Sequence, residues 1–106
     1  MQKNKFYITT SIAYTNAKPH IGYALELLQA DALARHHRQK GDDVFFLTGT
    51  DEHGKKIQEK AQSENKDTQA FVDEISSSFR ELGKTLEISN DFFIRTTDKK
   101  THLPAV

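Results

Sequence analysis

Two kinds of hydrophobic spacing alternate along the chain. Phe6-Tyr7-Ile8-Thr9-Thr10-Ser11 is a near-continuous run of β-branched and aromatic residues, which predicts a strand buried on both faces. From Ile21 to Gln39 the spacing becomes helical. Ile21, Leu25, Leu28 and Ala32 form a stripe that Ala24 and Leu27 widen, and Gly41 is a natural stop preceded by basic Arg35, Arg38 and Lys40. Asp43 to Thr50 returns to strand character around Val44-Phe45-Phe46-Leu47-Thr48. Lys55 to Gln62 predicts a short helix with Ile57 and Ala61 inward, interrupted by Ser63 to Lys66. Asp67 or Thr68 then caps a longer helix with Phe71, Ile75, Phe79, Leu82 and Leu86 as core packing. Asp91 to Thr97 predicts a third strand. Met1 to Lys5 reads as a frayed start, and Thr101 to Val106 as the first turn of another helix, where Pro104 is tolerated.

Strands alternating with helices predict an α/β fold built on a parallel sheet. In such a sheet the turn after each strand lies at the carboxyl edge, where ligands bind. Two turns there hold reactive side chains. The first, Asn16-Ala17-Lys18-Pro19-His20-Ile21-Gly22-Tyr23, ends at a helix start, whose N–H groups suit an anion. His20 can hydrogen-bond a phosphate oxygen, and Gly22 allows close approach; the plainer alternative is that His20 only caps the helix. The second, Gly49-Thr50-Asp51-Glu52-His53-Gly54, offers a carboxylate at the strand end that can pair with an ammonium group. A metal site from Asp51, Glu52 and His53 is the alternative, made awkward by their adjacency. Lys18 reads as solvated. His36 and His37 lie about 100 degrees apart on a helix and cannot form a metal-binding pair, so both read as a solvated helix end.

Composition narrows the function classes. The chain has 106 residues, with 15 basic and 15 acidic side chains and no net charge, so nothing marks it as a basic DNA-binding module. It contains no cysteine, which removes disulfides and Cys-based zinc sites from this segment. No run is long and apolar enough for a signal peptide or membrane span, which fits a cytoplasmic protein with no membrane partner. The hydrophobic share of 36% is low for a globular domain, and a chain this short buries only a modest core.

Three blocks carry a family resemblance: Ile8 to Gly22, Ala30-Asp31-Ala32-Leu33-Ala34-Arg35, and Phe46-Leu47-Thr48-Gly49-Thr50-Asp51-Glu52-His53-Gly54. In this order and spacing they resemble the methionyl-tRNA synthetases, class I aminoacyl-tRNA synthetases, from about Phe6 to Asp98. The resemblance implies a Rossmann-like, HIGH-type nucleotidyltransferase fold. Residues 1–98 would form the N-terminal half of the catalytic domain, and 99–106 the start of a truncated following helix or insertion. It implies that His20 and Gly22 are the first histidine and the glycine of the HIGH signature and contact ATP together with Tyr23. Tyr23 stands where the name-giving signature has its second histidine, and a phenol cannot become cationic near neutral pH. Ile12, Tyr14, Asp51 and His53 would line the methionine pocket, with Asp51 opposite the substrate ammonium.

The implied ligands are methionine, ATP with Mg2+, and tRNA(Met); zinc would belong only to an insertion that this sequence lacks. The alternatives are another HxGx-type class I synthetase or nucleotidyltransferase, against which the Asp51-Glu52-His53-Gly54 block argues, and an inactive truncated remnant. The family's second sheet half, with its lysine-rich KMSKS loop, and its anticodon-binding domain have no counterpart here. The 106-residue chain by itself is therefore expected to charge no tRNA. An aminoacylation assay with methionine and ATP checks this, and turnover without a partner chain would contradict it.

Overall fold

The computed structural model describes residues 3–105, and the expected fraying of Met1 and Gln2 and the end of the last turn at Val106 lie outside them. Four strands and four helices follow in the order β1 (Lys5–Thr9), β2 (Ala13–Tyr14), α1 (Ile21–Gln39), β3 (Asp43–Asp51), α2 (Lys55–Ser63), α3 (Thr68–Thr85), β4 (Phe92–Arg95) and α4 (His102–Ala105). The sheet is parallel throughout, because β1, β2 and β4 each pair with β3 in the same direction. The Leu47 and Asp51 carbonyls accept the N–H groups of Thr10 and Thr15, whereas those of Phe46 and Thr50 accept Asp91 and Thr96. The chain from β1 through β2 thus runs along one side of β3 and β4 along the other. The short strand β2 falls within Ile12 to Pro19, a stretch whose sequence reads as loop.

All three long helices contribute to one core. Tyr23 and Leu27 of α1 meet Ile57 and Ala61 of α2 and Phe71, Val72, Ile75 and Phe79 of α3. Ala30 and Ala34 continue the contact onto Phe46, with Ile8 and Val44 alongside. Ile57 and Ala61 of α2 and Phe71, Ile75 and Phe79 of α3 are buried as expected, but Leu82 is only partly buried against this core, Leu86 is half-buried outside it, and Val72 and Ser76 are buried in addition. Asp67 caps α3 by accepting the Ala70 N–H.

Helix α1 sits in a different rotation from the one its leucines suggest. Its buried face is Tyr23, Leu27, Ala30, Asp31 and Ala34, whereas Ile21 is 88% exposed and Leu25 57%. Apolar residues lie on both flanks of this helix, so hydrophobicity alone does not select a face. Polar anchors do. The Tyr23 hydroxyl bonds Thr48 at 3.0 Å, and Asp31 accepts the Ser89 N–H at 2.8 Å, the Ser89 hydroxyl and Arg35 Nε. Both anchors exist only across the fold.

The expected double-sided burial of the first strand is also corrected. Phe6 and Ile8 alternate with Tyr7, which is 61% exposed and stacks on the exposed Phe45 with ring centroids 6.0 Å apart. The three long helices pack into a shared core on one face of the sheet, and this aromatic pair lies on the other. His37 is no solvated helix end. It stacks on Phe6 with centroids 3.5 Å apart and bonds Asp42 through Nδ1 at 2.7 Å, while His36 is exposed. Arg35 and Arg38 do more than complement the helix end: they reach the Glu87 carbonyl, Ser89 and Asp91 and hold the segment entering β4.

Burial acts to raise the Asp31 pKa, but the hydrogen bonds from Ser89 and then Arg35 outweigh it and hold the carboxyl below its usual value. A folded-state pKa below the unfolded one gives stability that is present above the unfolded value and is lost as the pH falls through the folded one. Asp31→Ala is expected to lower stability at neutral pH by about 1–3 kcal/mol, the usual cost of removing a charged acceptor from paired donors. The deficit should shrink as the pH falls below the ordinary carboxylate range, which urea titrations of both proteins at several pH values would measure.

Candidate active site

Because every strand is parallel, the segments following β1 and β3 both emerge at the carboxyl edge of the sheet. His20 is the N-cap of α1. Its backbone is extended, and its Nδ1 accepts the Gly22 N–H at 3.0 Å. In a neutral imidazole this places the proton on Nε2, so the ring that caps the helix keeps a donor for a ligand. Capping and ligand contact are therefore compatible roles. The same geometry explains the neighbouring glycine, since a Cβ at Gly22 would lie 2.9 Å from His20 Cε1 and 3.1 Å from Nδ1. The spacing His-x-Gly is a ring folded back over a residue with no side chain.

A cavity of about 570 Å³ opens beside this helix start, within the usual range for small-molecule sites. His20, Gly22, Tyr23, Ile12 and Tyr14 line it, so five of the seven expected site residues come together. Ile12 is 37% exposed. Tyr14 stands against Gly54, where a Cβ would come within 2.1 Å of its hydroxyl and where φ is 140°. The glycine that closes the second turn thus makes room for an aromatic wall of the cavity. Tyr23 is almost fully buried, its hydroxyl bonded to Thr48, which in turn contacts Thr10 at 2.7 Å; burial raises the phenol pKa.

Asp51 and His53 are at the same edge but outside the lining of this cavity. The Asp51 carbonyl accepts both the N–H and the hydroxyl of Thr15 at 3.1 Å. Its carboxylate makes no hydrogen bond or ion pair among the described residues, whereas the neighbouring Glu52 is fully engaged. The Glu52 oxygens are taken up by Arg95, Thr50 and Thr97, which sets that side chain apart from any shared ligation with Asp51 and His53. His53 donates from Nε2 to the Thr96 carbonyl at 3.2 Å, so it shapes the turn.

Three contributors escaped the residue-by-residue reading. Glu26 accepts the Ser11 N–H at 2.7 Å and the Ser11 hydroxyl at 2.8 Å and lines the cavity, fixing the turn that carries Ile12. Its only sequence signal is its place four residues after Gly22, on the same face of α1. Phe79, expected as core only, also reaches the cavity and meets the Tyr23 ring edge-on at 5.0 Å. Lys18 is exposed, yet it lies on the cavity wall. A second cavity of about 430 Å³ between α1, α3 and β4 shares only Tyr23 and Phe79 with the first and does not reach the helix start.

Residues 6–105 match the family described as tRNA synthetases class I (M). The chain belongs to the class I methionyl-tRNA synthetases. It is similar to the methionine–tRNA ligase of Thermotoga maritima, 57% identical over 90% of this chain and 15% of that protein. It is likewise 54% identical to the ligase of Bacillus subtilis over 93% of the chain and 15% of the relative. Among solved structures, Mycobacterium tuberculosis methionyl-tRNA synthetase in complex with methionyl-adenylate superposes with a TM-score of 0.89 at 47% identity, over 91% of this chain and 19% of that one. The chain therefore spans roughly a sixth of the length of these synthetases. Their Rossmann-like catalytic fold is the parallel α/β architecture described above.

Gly22→Ala is expected to push the His20 ring off its cap. Loss of a helix cap typically costs about 0.5–2 kcal/mol. The sharper measurement is ring nitrogen NMR: His20 Nδ1 should lose the signature of an accepted hydrogen bond, and an unchanged ring spectrum would show that the glycine is not required for this reason.

Proposed function

We propose that the protein acts in methionine–tRNA ligation: ATP-dependent formation of methionyl-adenylate, followed by transfer of the methionyl group to tRNA(Met). The observation that carries this is the pairing, at one sheet edge, of a histidine-capped helix start beside a cavity and a carboxylate, Asp51, that has no partner among the described residues. Family membership and the methionyl-adenylate named for the related Mycobacterium tuberculosis structure support the choice of substrates.

In this chemistry a methionine carboxylate oxygen attacks the α-phosphorus of ATP and pyrophosphate leaves with the bond electrons. Charge grows on phosphate oxygens, so donors placed in advance do most of the catalytic work. His20 Nε2–H would supply one such donor, and the bare Gly22 lets the nucleotide close on the helix start. Tyr23, whose hydroxyl is already bonded to Thr48, would contribute the cavity floor beneath the nucleotide. ATP would arrive as its Mg2+ complex, with the ion on the phosphates.

Ile12 and the Tyr14 ring would hold the flexible thioether, since sulfur packs well at ring edges. Asp51 would pair with the substrate ammonium, while His53 stabilises the turn that presents it. The place of action would be the cytoplasm, where tRNA is charged. Among the described residues no helix is long and apolar enough to cross a membrane.

Asp51→Asn keeps the size of the side chain and removes its charge. In the complete polypeptide that carries this sequence, the variant should lose about 2–5 kcal/mol of methionine activation while ATP binding changes little, the scale found when one partner of a desolvated charge pair is removed. Methionine-dependent ATP–pyrophosphate exchange measures it, and unchanged exchange would refute the assignment.

A further inference from the structure

The residue next to Asp51 is held far more tightly than a turn requires. The Glu52 carboxylate is fully buried and receives four hydrogen bonds: Arg95 Nε and Nη2 at 2.7 Å each, the Thr50 hydroxyl at 2.6 Å and the Thr97 hydroxyl at 2.8 Å. Arg95 is held in turn by Asp73 of α3 at 2.6 Å, and Thr50 contacts Ser76 of the same helix at 3.1 Å. The peptide unit joining Asp51 to Glu52 is pinned at both ends. Its carbonyl accepts from Thr15, and its N–H donates to the Thr96 hydroxyl at 2.7 Å. Thr15 and Thr96, on opposite sides of β3, are both buried.

Stability alone does not account for this arrangement. A buried ion pair gains little over well-packed apolar side chains, because desolvating two charges offsets their attraction. What such a pair supplies is a fixed geometry, since any displacement strands a buried charge. The geometry fixed here is the backbone from which the Asp51 carboxylate projects, and among the described residues that carboxylate, unlike Glu52, has no hydrogen-bond or ion-pair partner.

We infer that Glu52, clamped by Arg95 and with its N–H held by Thr96, is a positioning residue that sets the place of the Asp51 carboxylate for the substrate ammonium. This rests on the assignment of Asp51 made above. Glu52 touches no substrate and acts only through its neighbour.

The test uses the complete polypeptide that carries this sequence, with methionine-dependent ATP–pyrophosphate exchange as the readout. Glu52→Gln should lower kcat/KM for methionine by about 10- to 100-fold, the scale of a small misplacement of a binding group, while KM for ATP stays within about twofold. Thr96→Val leaves the ion pair intact and removes only the acceptor of the Glu52 N–H, so it should give a smaller defect of the same selectivity. The deciding comparison is the double variant. In an Asp51→Asn background, Glu52→Gln should change kcat/KM for methionine by less than about twofold, because a group acting through Asp51 has nothing left to position.

Multiplicative losses in the double variant, or equal losses for methionine and ATP in both single variants, would overturn the positioning role and leave a structural one. Unchanged exchange in Asp51→Asn alone would overturn the assignment of Asp51 itself, and is a distinct outcome.

Discussion

Every strand of this sheet is hydrogen-bonded to β3 and runs parallel to it, and most of the molecule follows from that constraint. Parallel neighbours cannot be joined by a tight turn, so the chain must cross over through helices. Those helices pack together and need one another to close a core. The crossovers also bring every strand's end to a single edge. Residues far apart in sequence, His20 after the first strand and Asp51 at the end of β3, are delivered to that edge by topology before any side chain makes contact.

At the edge, polar groups divide into two kinds. Some are consumed in holding the backbone: the Glu52 carboxylate by Arg95, Thr50 and Thr97, and Glu26 by Ser11. Others have no partner among the described residues, namely the Nε2 of His20 and the Asp51 carboxylate. Arg95 gathers the largest share of this bonding. The hydrogen bonds it donates to Glu52, and after them to Asp73, push its pKa up, while Arg95 holds the Asp73 carboxyl below its usual value. Arg95 thus ties Glu52, at the end of β3, to Asp73 of α3 on the side away from a ligand. Such a division is what precise placement requires, because a binding group is only as well positioned as the shell behind it.

Two apolar surfaces remain open. Ile21, Leu25 and Leu28 project from the outer side of α1, and Tyr7 with Phe45 from the uncovered sheet face.

The sequence by itself determined the types of the longer elements, the parallel α/β class, the core face of α2 and most of that of α3, and the residues that gather at the carboxyl edge. Those features rest on local periodicity, on punctuation by Gly and Asp, and on motif blocks whose chemistry is carried by residue type. The rotation of α1 was not legible, because its apolar residues occupy both flanks and the decision fell to the Tyr23–Thr48 and Asp31–Ser89 bonds. The alternation of β1 was not legible either, since an unbroken apolar run does not say which faces find cover. The engagement of Glu52 beside the open Asp51 was hidden for the same reason: two adjacent carboxylates look alike in sequence. Only the arrival of Arg95 from β4 and Thr15 from the β2 turn makes one a buried anchor and leaves the other exposed to a ligand.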